Sequence, residues 1–411
     1  MSNDKFKIET SARIQRLPPY LFGRINKMKY EKRVAGVDII DLGMGNPTDP
    51  TPDSVVAKLA EAARDPRNHR YSVSNGIAAL RREVAKKYKN LYGVELDPET
   101  EVVATIGSKE GFSHLCLALL GPGDTAVVPD PAFPIHLYAV AMAGANAIRV
   151  PLGNDKAFLD KIEGLIGNLY PKPKLLILNF PHNPTAVTID PGFWEHAIAL
   201  CRRHNVMLIS DFAYGEICFD GYKAPSLLAA PGAKDLGVEF TTMSKSYNMA
   251  GWRCGFCAGN AEMVKSLATI KGYYDYGIFA PIQIASIIAM REHLETPLEQ
   301  SKIYQKRRDV VCRGLDKLGW TYDKPRASMF VWAKISPEHL KGENTIDFCL
   351  RMMDDAEVAL APGLAFGEAG ESWVRIAVVE NEQRLKQAMS NLQRALVPKV
   401  AKKRPRTAAG K

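Results

Sequence analysis

The chain has 411 residues, of which 46% are hydrophobic and 24% are charged, and this balance excludes fibrous, intrinsically disordered and membrane-embedded proteins. Its net charge is +9, but six of the 54 lysines and arginines lie in residues 399–411 without any acidic residue, so the rest of the chain carries only +3. A body this close to neutral lacks the clustered cations that replace phosphate counterions, and we therefore predict no nucleic-acid partner.

The elements predicted from periodicity alternate along the chain. Helical patterns occupy residues 54–64, 76–91 and 109–120, and further ones follow at 192–204 and 261–271. Between them lie short, continuously apolar runs at residues 125–129, 147–151, 174–180, 206–211, 240–243 and 253–258. Continuous apolarity is typical of strands that are covered on both faces, so this part of the chain is predicted to be α/β with a mostly parallel sheet.

The C-terminal part has a different pattern. A long helical stretch at residues 282–318 leads into strands near 329–334, 358–361 and 373–379, with helices at 345–354 and 382–396. This predicts a smaller α+β domain. We assign residues 1–50 to an N-terminal arm and part of the small domain, 51–294 to the large domain, 295–398 to the small domain and 399–411 to a basic disordered tail.

The sequence shows no signal for export, for a membrane span or for a cysteine-based metal site. The N-terminal region contains no apolar stretch of the kind that a signal peptide needs, and the uncharged run at residues 276–290 is shorter than a membrane span of roughly 20 residues. The seven cysteines are scattered, which is typical of reduced thiols rather than of a disulfide framework. We predict a cytoplasmic protein that has no membrane segment and binds no metal.

Polar residues follow several of the predicted strands directly. Asp211 ends the run at 206–211 and precedes Tyr214, Asn183 follows the run at 174–180 in a proline-flanked turn, and Lys245 stands between two serines after the run at 240–243. Ligand crevices of α/β sheets form at such strand ends. Each residue also has a structural explanation, as a surface charge, a helix cap or a turn residue.

Together these segments resemble the class I/II pyridoxal-phosphate aminotransferases of fold type I, and the resemblance covers nearly the whole chain. The matching pieces are GMGNP at 43–47, Tyr71 with Gly76 and Leu80, IGSKEG at 106–111, NFPHNP at 179–184, Asp211 with Tyr214, SKSYNMAGWR at 244–253 and Arg375 in WVRI. LPPY at 17–20, NMAGWR at 248–253 and ASMFVWAK at 327–334 are most similar to bacterial alanine (glutamate–pyruvate) transaminases, which are similar to LL-diaminopimelate aminotransferases.

The resemblance implies a seven-stranded-type sheet in the large domain and pyridoxal 5′-phosphate as the cofactor. Lys245 would bind the cofactor covalently and later move a proton, while Asp211 would keep the pyridine nitrogen protonated. Asn183 and Tyr214 would hydrogen-bond the ring 3-oxygen. Phe133 would stack on the ring, at a position where the family commonly has tyrosine. The phosphate would bind a set of donors that includes the start of a helix: Ser108, Lys109, Thr242, Ser244, Arg253 and, from the other subunit of a homodimer with shared active sites, Tyr71.

The substrate residues implied by the resemblance are Arg375, which would bind the α-carboxylate, Asn183 beside it, Gly45, whose backbone would close over it, and Tyr20 at the pocket mouth. Dicarboxylate-specific relatives often use a second arginine from the partner, but residues 273–281 contain none. Lys109 either offers a distal carboxylate a cation or only begins a helix. We predict a ping-pong aminotransferase that uses an L-amino acid, alanine in particular, with 2-oxoglutarate or pyruvate.

Other classes of protein share part of this sequence pattern. A pyridoxal-phosphate-binding transcription regulator needs a DNA-binding module before the sheet, which the roughly forty residues before Gly43 cannot hold. A nicotinamide-dependent dehydrogenase needs a GxGxxG motif after a strand, and GMGNP lacks the third glycine. A decarboxylase or C–S lyase shares the cofactor residues and stays open, as do LL-diaminopimelate, aspartate and other amino acids as substrates.

Overall fold

The structure is a computed structural model, and it describes residues 8–19 and 21–396. The predicted tail at 399–411 lies outside the described residues. The strands are β1 Ile40–Asp41, β2 Val102–Thr105, β3 Thr125–Asp130, β4 Asn146–Pro151, β5 Leu175–Asn179, β6 Met207–Asp211, β7 Gly237–Thr242, β8 Gly255–Gly259, β9 Thr321–Tyr322, β10 Phe330–Lys334, β11 Val358–Ala359, β12 Ala361–Pro362 and β13 Trp373–Ala377.

The α-helices are distributed along the whole described chain. They are α1 Ala12–Gln15, α2 Leu21–Val34, α3 Asp53–Ala63, α4 Ala78–Tyr92, α5 Ser108–Leu119, α6 Pro134–Met142, α7 Lys156–Asn168, α8 Phe193–His204, α9 Met243–Ser246, α10 Ala261–Tyr274, α11 Ala280–Glu292, α12 Thr296–Leu318, α13 Pro337–Leu340, α14 Thr345–Asp355 and α15 Glu382–Leu396. Of the helices described, none is both long and apolar enough to cross a membrane.

The main sheet has seven strands in the order β2-β8-β7-β6-β5-β3-β4. All neighbours pair in parallel except β8, which runs antiparallel to β2 and to β7. Two separate hydrophobic clusters cover its faces, one built with α4, α7 and α8 and the other with α5, α6 and α10. The predicted mostly parallel sheet between helices is therefore confirmed.

A second sheet has the antiparallel order β12-β13-β10-β9 and packs with α12, α14 and α15 around its own core. The short parallel pair of β1 with β11 joins the N-terminal segment to this part of the molecule, because Ile40 pairs with Val358. The predicted smaller α+β part is confirmed. The exact boundaries at residues 50, 294 and 398 stay a prediction.

Two predicted elements are wrong in detail. The helical stretch at 282–318 is two helices, since α11 ends at Glu292 and α12 begins at Thr296 with Pro297 in its first turn, where proline is preorganised for a helix start. The strand at 358–361 is two short strands: β11 pairs with β1, and β12 pairs with β13. The whole segment is apolar, so hydropathy gave no sign that the pairing partner changes.

A buried ion cluster fixes the start of α5. The Nζ of Lys271, which is 0% exposed, lies 3.2 Å from an oxygen of Glu110 and 3.0 Å from an oxygen of Asp275. The other Glu110 oxygen accepts the backbone N–H of Ile106 at 2.7 Å. Glu110 and Asp275 also lie near His114 in an arrangement that a metal ion could use, but Lys271 already supplies their positive charge. The cluster thus holds the loop that enters α5, where the candidate site begins.

Candidate active site

A cavity of about 670 Å³ opens where β5, β6 and β7 end, within the usual range for a small-molecule site. It is also lined by residues of β10 and β13 and of the segment after β1. Twelve of the predicted site residues line it: Gly45, Ser108, Lys109, Phe133, Asn183, Asp211, Tyr214, Thr242, Ser244, Lys245, Arg253 and Arg375. Residues from distant parts of the chain therefore meet at one crevice.

The two remaining predicted site residues are Tyr71 and Tyr20. Tyr71 is 84% exposed, does not line the cavity and packs against Tyr276, with the ring centroids 4.5 Å apart. Tyr20 lies outside the described residues, so its predicted place at the pocket mouth stays a prediction.

Asp211 is held at the end of β6 by contacts on both sides of its carboxylate. One oxygen lies 2.9 Å from Nε2 of His136, which is buried on α6, and the other accepts the N–H of Ala213 at 3.3 Å. The backbone carbonyl of Asp211 accepts a 2.6 Å hydrogen bond from Asn179 on the paired strand β5. His136 was not predicted as a site residue, because it lies 75 residues from Asp211 in a largely apolar segment. The sequence signal for it was that it follows a predicted strand and two prolines, at residues 131 and 134.

Asn183 connects the main sheet to the second sheet. Its N–H donates to the side-chain oxygen of Asn179 at 2.8 Å, which fixes the turn after β5. Its side-chain amide donates to the hydroxyl of Tyr214 at 3.4 Å, and its side-chain oxygen accepts a hydrogen bond from Arg375 Nη1 at 2.9 Å. Burial raises the pKa of Tyr214 above its ordinary value, so the phenol keeps its proton near neutral pH.

Arg375 is buried, only 4% exposed, although it carries a permanent charge. Its guanidinium lies 4.2 Å from the ring centroid of Phe330 and 4.7 Å from that of Phe366, and Nη2 donates to the carbonyl of Gly43 at 2.7 Å. Aromatic faces stabilise the cation and hold its planar group in place. The result is a rigid guanidinium at the cavity wall, suited to a carboxylate. Phe330 was not among the predicted residues.

Lys245 lies in the short helix α9, directly after β7. Its Nζ donates to the carbonyl of Gly45 at 2.7 Å. Burial, reinforced by the charges of Arg375 and Arg253 and opposed by Asp211, lowers the pKa of Lys245 to about 8. A substantial fraction of its amine is therefore neutral and nucleophilic close to physiological pH.

An anion-binding cradle lies at the start of α5. The first N–H groups of this helix, at Ser108 and Lys109, have no partner inside the helix. A Cβ added to Gly107, which has φ +74°, would overlap the guanidinium of Arg253, so glycine permits the close approach of this cation. Burial and the neighbouring charge of Arg253 lower the pKa of Lys109. In the part of the chain that the structure describes, neither cation forms a salt bridge with a carboxylate.

The hydroxyl groups of Thr242 and Ser244 complete this cradle. Their oxygens lie 2.9 Å apart, and the N–H of Ser244 donates to the Thr242 hydroxyl at 3.2 Å. Two cations, two hydroxyls and a helix N-terminus are the donor set that a phosphate dianion requires.

Comparison with known proteins decides the family. A family model described as aminotransferase class I and II matches residues 37–392. The chain belongs to the class I and II aminotransferases. This aminotransferase is 46% identical over 381 residues to the glutamate-pyruvate aminotransferase AlaC of Escherichia coli (strain K12), with 93% of this chain and 92% of the relative covered.

Two further similarities extend over the whole length. This aminotransferase is 41% identical to an LL-diaminopimelate aminotransferase of Moorella thermoacetica, covering 95% of this chain and 99% of that protein. The substrate-bound structure of BacF from Bacillus subtilis superimposes with a TM-score of 0.87 at 33% identity, covering 94% and 98% of the two chains. The fold-type I architecture and the aminotransferase class are thus confirmed, and decarboxylase and lyase functions are not supported.

Aminotransferases of this family use pyridoxal 5′-phosphate, and the cavity residues fit it. The cradle of Lys109, Arg253 and the α5 N-terminus matches a phosphate. The Asp211 carboxylate matches a protonated ring nitrogen, and the amine of Lys245 matches an aldehyde carbon. Each polar group of pyridoxal 5′-phosphate thus has a chemically complementary side chain in the cavity.

The lowered pKa of Lys245 predicts how cofactor uptake depends on pH. The neutral amine is the nucleophile, so the rate at which cofactor-free enzyme captures pyridoxal 5′-phosphate should rise with pH through a midpoint near 8. Between pH 7 and pH 9 the increase should be about tenfold, as a group with this pKa changes from about 9% to about 91% neutral. Stopped-flow absorbance of the bound cofactor measures this rate. A midpoint near 10, that of an ordinary lysine, would contradict the expectation.

Proposed function

We propose that this aminotransferase exchanges amino groups between alanine and 2-oxoglutarate, giving pyruvate and glutamate by a ping-pong mechanism. The observation that carries the proposal is the cavity itself, in which Arg375 is the buried guanidinium and to which residues 273–281 bring no arginine. A pocket without a second fixed guanidinium accepts a methyl side chain without leaving a buried charge unpaired. Similarity to the glutamate-pyruvate aminotransferase of Escherichia coli supports it.

Arg375 and Lys245 have different roles in the proposed reaction. Arg375 binds the substrate α-carboxylate, and its hydrogen bond to Asn183 fixes the orientation of the guanidinium. Bound pyridoxal 5′-phosphate supplies an electron sink that lowers the pKa of the substrate Cα–H. Lys245 would remove and return the proton at the substrate Cα, and burial lowers its pKa to about 8, which suits a base near neutral pH.

Asp211 would keep the ring nitrogen protonated, because a nearby negative charge favours the cationic form. His136 positions this carboxylate through the 2.9 Å contact. Tyr214 and Asn183 would hydrogen-bond the ring 3-oxygen, and Phe133 would stack on the ring. The phosphate would be held by the cradle of Ser108, Lys109, Thr242, Ser244 and Arg253, all of which line the cavity.

Comparing two amino donors tests the proposal. With saturating 2-oxoglutarate, kcat/KM for alanine should equal or exceed kcat/KM for aspartate, since no fixed cation rewards the second carboxylate of aspartate. A coupled assay for pyruvate and oxaloacetate gives both values. A tenfold or larger preference for aspartate, about 1.4 kcal/mol of discrimination, would contradict the proposal.

LL-diaminopimelate is the second candidate donor, because relatives between 38% and 42% identical over nearly their whole length carry that name. The same assay with LL-diaminopimelate and 2-oxoglutarate decides between the two. A larger kcat/KM for LL-diaminopimelate than for alanine would identify LL-diaminopimelate as the amino donor.

We further propose a cytoplasmic homodimer with two shared active sites, in which Tyr71 reaches the cofactor phosphate of the partner. Support comes from the exposure of Tyr71 together with neighbouring aromatic residues on one surface: Tyr273, Tyr274, Tyr276 and Phe279. All seven cysteines are free thiols, as expected in a reducing compartment. Sedimentation velocity should find the active enzyme as a dimer, and an active monomer at assay concentration would contradict this arrangement.

A further inference from the structure

One cation that lines the cavity has no role in the scheme above. Arg33, near the end of α2, lines the same cavity as Asp41, Thr48 and Glu380. It is exposed, whereas Arg375 is buried, so Arg33 lies toward the solvent side of the cavity. Sequence analysis did not single out this residue, because α2 is rich in lysine and arginine and none of them stands out.

Two acidic residues near Arg33, Asp41 and Asp38, are each paired with another cation. The pKa of Asp38 is lowered first by its hydrogen bond with Arg384 and also by the charge of Arg33. Lys29, one helical turn earlier, is buried and binds Asp41 with a distance of 2.5 Å between Nζ and the carboxylate. Asp38 accepts two hydrogen bonds of 2.7 Å from Arg384. Arg33 itself forms no salt bridge and no side-chain hydrogen bond with any residue that the structure describes.

The proposed α-carboxylate site is connected to Asp41 through the backbone of Gly43. Arg375 donates to the carbonyl of Gly43 at 2.7 Å, and the N–H of Gly43 donates to Asp41 at 3.0 Å. Asp41 and Arg33 both line the cavity that Arg375 lines. The cavity that holds the buried guanidinium of Arg375 therefore also contains the exposed guanidinium of Arg33.

We infer that Arg33 binds the distal carboxylate of the five-carbon substrates, glutamate and 2-oxoglutarate. The inference rests on the proposed function and names the group that recognises its dicarboxylate partner. A solvent-exposed guanidinium stays hydrated when alanine or pyruvate is bound, so it favours glutamate and 2-oxoglutarate without excluding the small substrates. Glu380 lines the same cavity with the opposite charge and weakens this attraction.

The substitution Arg33→Gln tests the inference. The KM values for 2-oxoglutarate and glutamate should each rise about fivefold or more, a size appropriate to losing a partly exposed, charge-assisted pair, while kcat stays nearly constant. The KM values for alanine and pyruvate should not change. Arg33→Lys should recover part of the loss, and the wild-type KM for 2-oxoglutarate should rise with ionic strength more steeply than that of Arg33→Gln.

Two further variants serve as controls. Lys27→Gln removes a charge from the same helix at a side chain that is 77% exposed and does not line the cavity, and it should leave every KM unchanged. Glu380→Gln removes the opposing charge and should not raise the KM for 2-oxoglutarate. Equal changes for all four substrates, or no change, in Arg33→Gln would overturn the inference. The proposed function has its own test: it is wrong if the wild-type enzyme prefers another amino donor to alanine. Even then, the KM values for glutamate and 2-oxoglutarate in Arg33→Gln still test the role of Arg33.

Discussion

Replacing Lys245 with alanine should reduce turnover at least about a thousandfold, because the variant loses a positioned nucleophile and a positioned base at once. Cofactor binding should largely persist, since the phosphate cradle at α5 and after β7 is separate from the Lys245 amine. Steady-state rates, together with equilibrium dialysis of pyridoxal 5′-phosphate, measure the two effects independently.

A matched control is Lys265→Ala, which removes an exposed lysine of α10 that does not line the cavity. It should leave both turnover and cofactor binding unchanged. If Lys245→Ala retained more than about a thousandth of the wild-type rate, the assignment of Lys245 as the reacting amine would be wrong.

The second large effect is expected for Asp211→Asn. Asparagine has nearly the same shape and can keep a hydrogen bond to His136, but it carries no negative charge to hold the ring nitrogen protonated. Turnover should fall about a hundred- to a thousandfold, in line with the loss of one preorganised electrostatic contact. The circular dichroism spectrum should stay unchanged, which separates a lost charge from a lost fold.

For comparison, Asp190→Asn removes a carboxylate that is 80% exposed and pairs with Arg326 at the surface. Its turnover should match the wild type. Activity of Asp211→Asn within tenfold of the wild type would mean that another group sets the charge of the ring, and the role given to Asp211 would have to be withdrawn.

The parts of the site that sequence could predict are those whose signal is local. Asp211, Asn183 and Lys245 each follow an apolar run directly, and parallel strands bring their carboxyl ends to one edge of a sheet. His136 could not be predicted in the same way, since its contact with Asp211 depends on how α6 packs beneath the sheet.

The missed elements have similar causes. Strand β2 has only four residues, and in α2 the apolar residues such as Ile25 and Met28 are spread among many charged ones, so neither gives a clear period. Helix α7 was missed although Asp155 caps it by accepting the N–H of Phe158 at 2.9 Å, a pattern visible in the sequence. The place of Arg33 at the cavity follows from the docking of α2 and had no sequence signal.

The position of Arg375 on β13 has a consequence for the energetics of the whole enzyme. Arg375 belongs to the sheet with its own core, whereas Lys245 follows β7 of the main sheet. An amino acid held at both its carboxylate and its amino group links two separately packed bodies, and a simple amine or a simple acid cannot. Binding free energy is then available only to the arrangement that places both sheets correctly. The same binding free energy therefore both selects the substrate and stabilises the reactive arrangement of the two sheets.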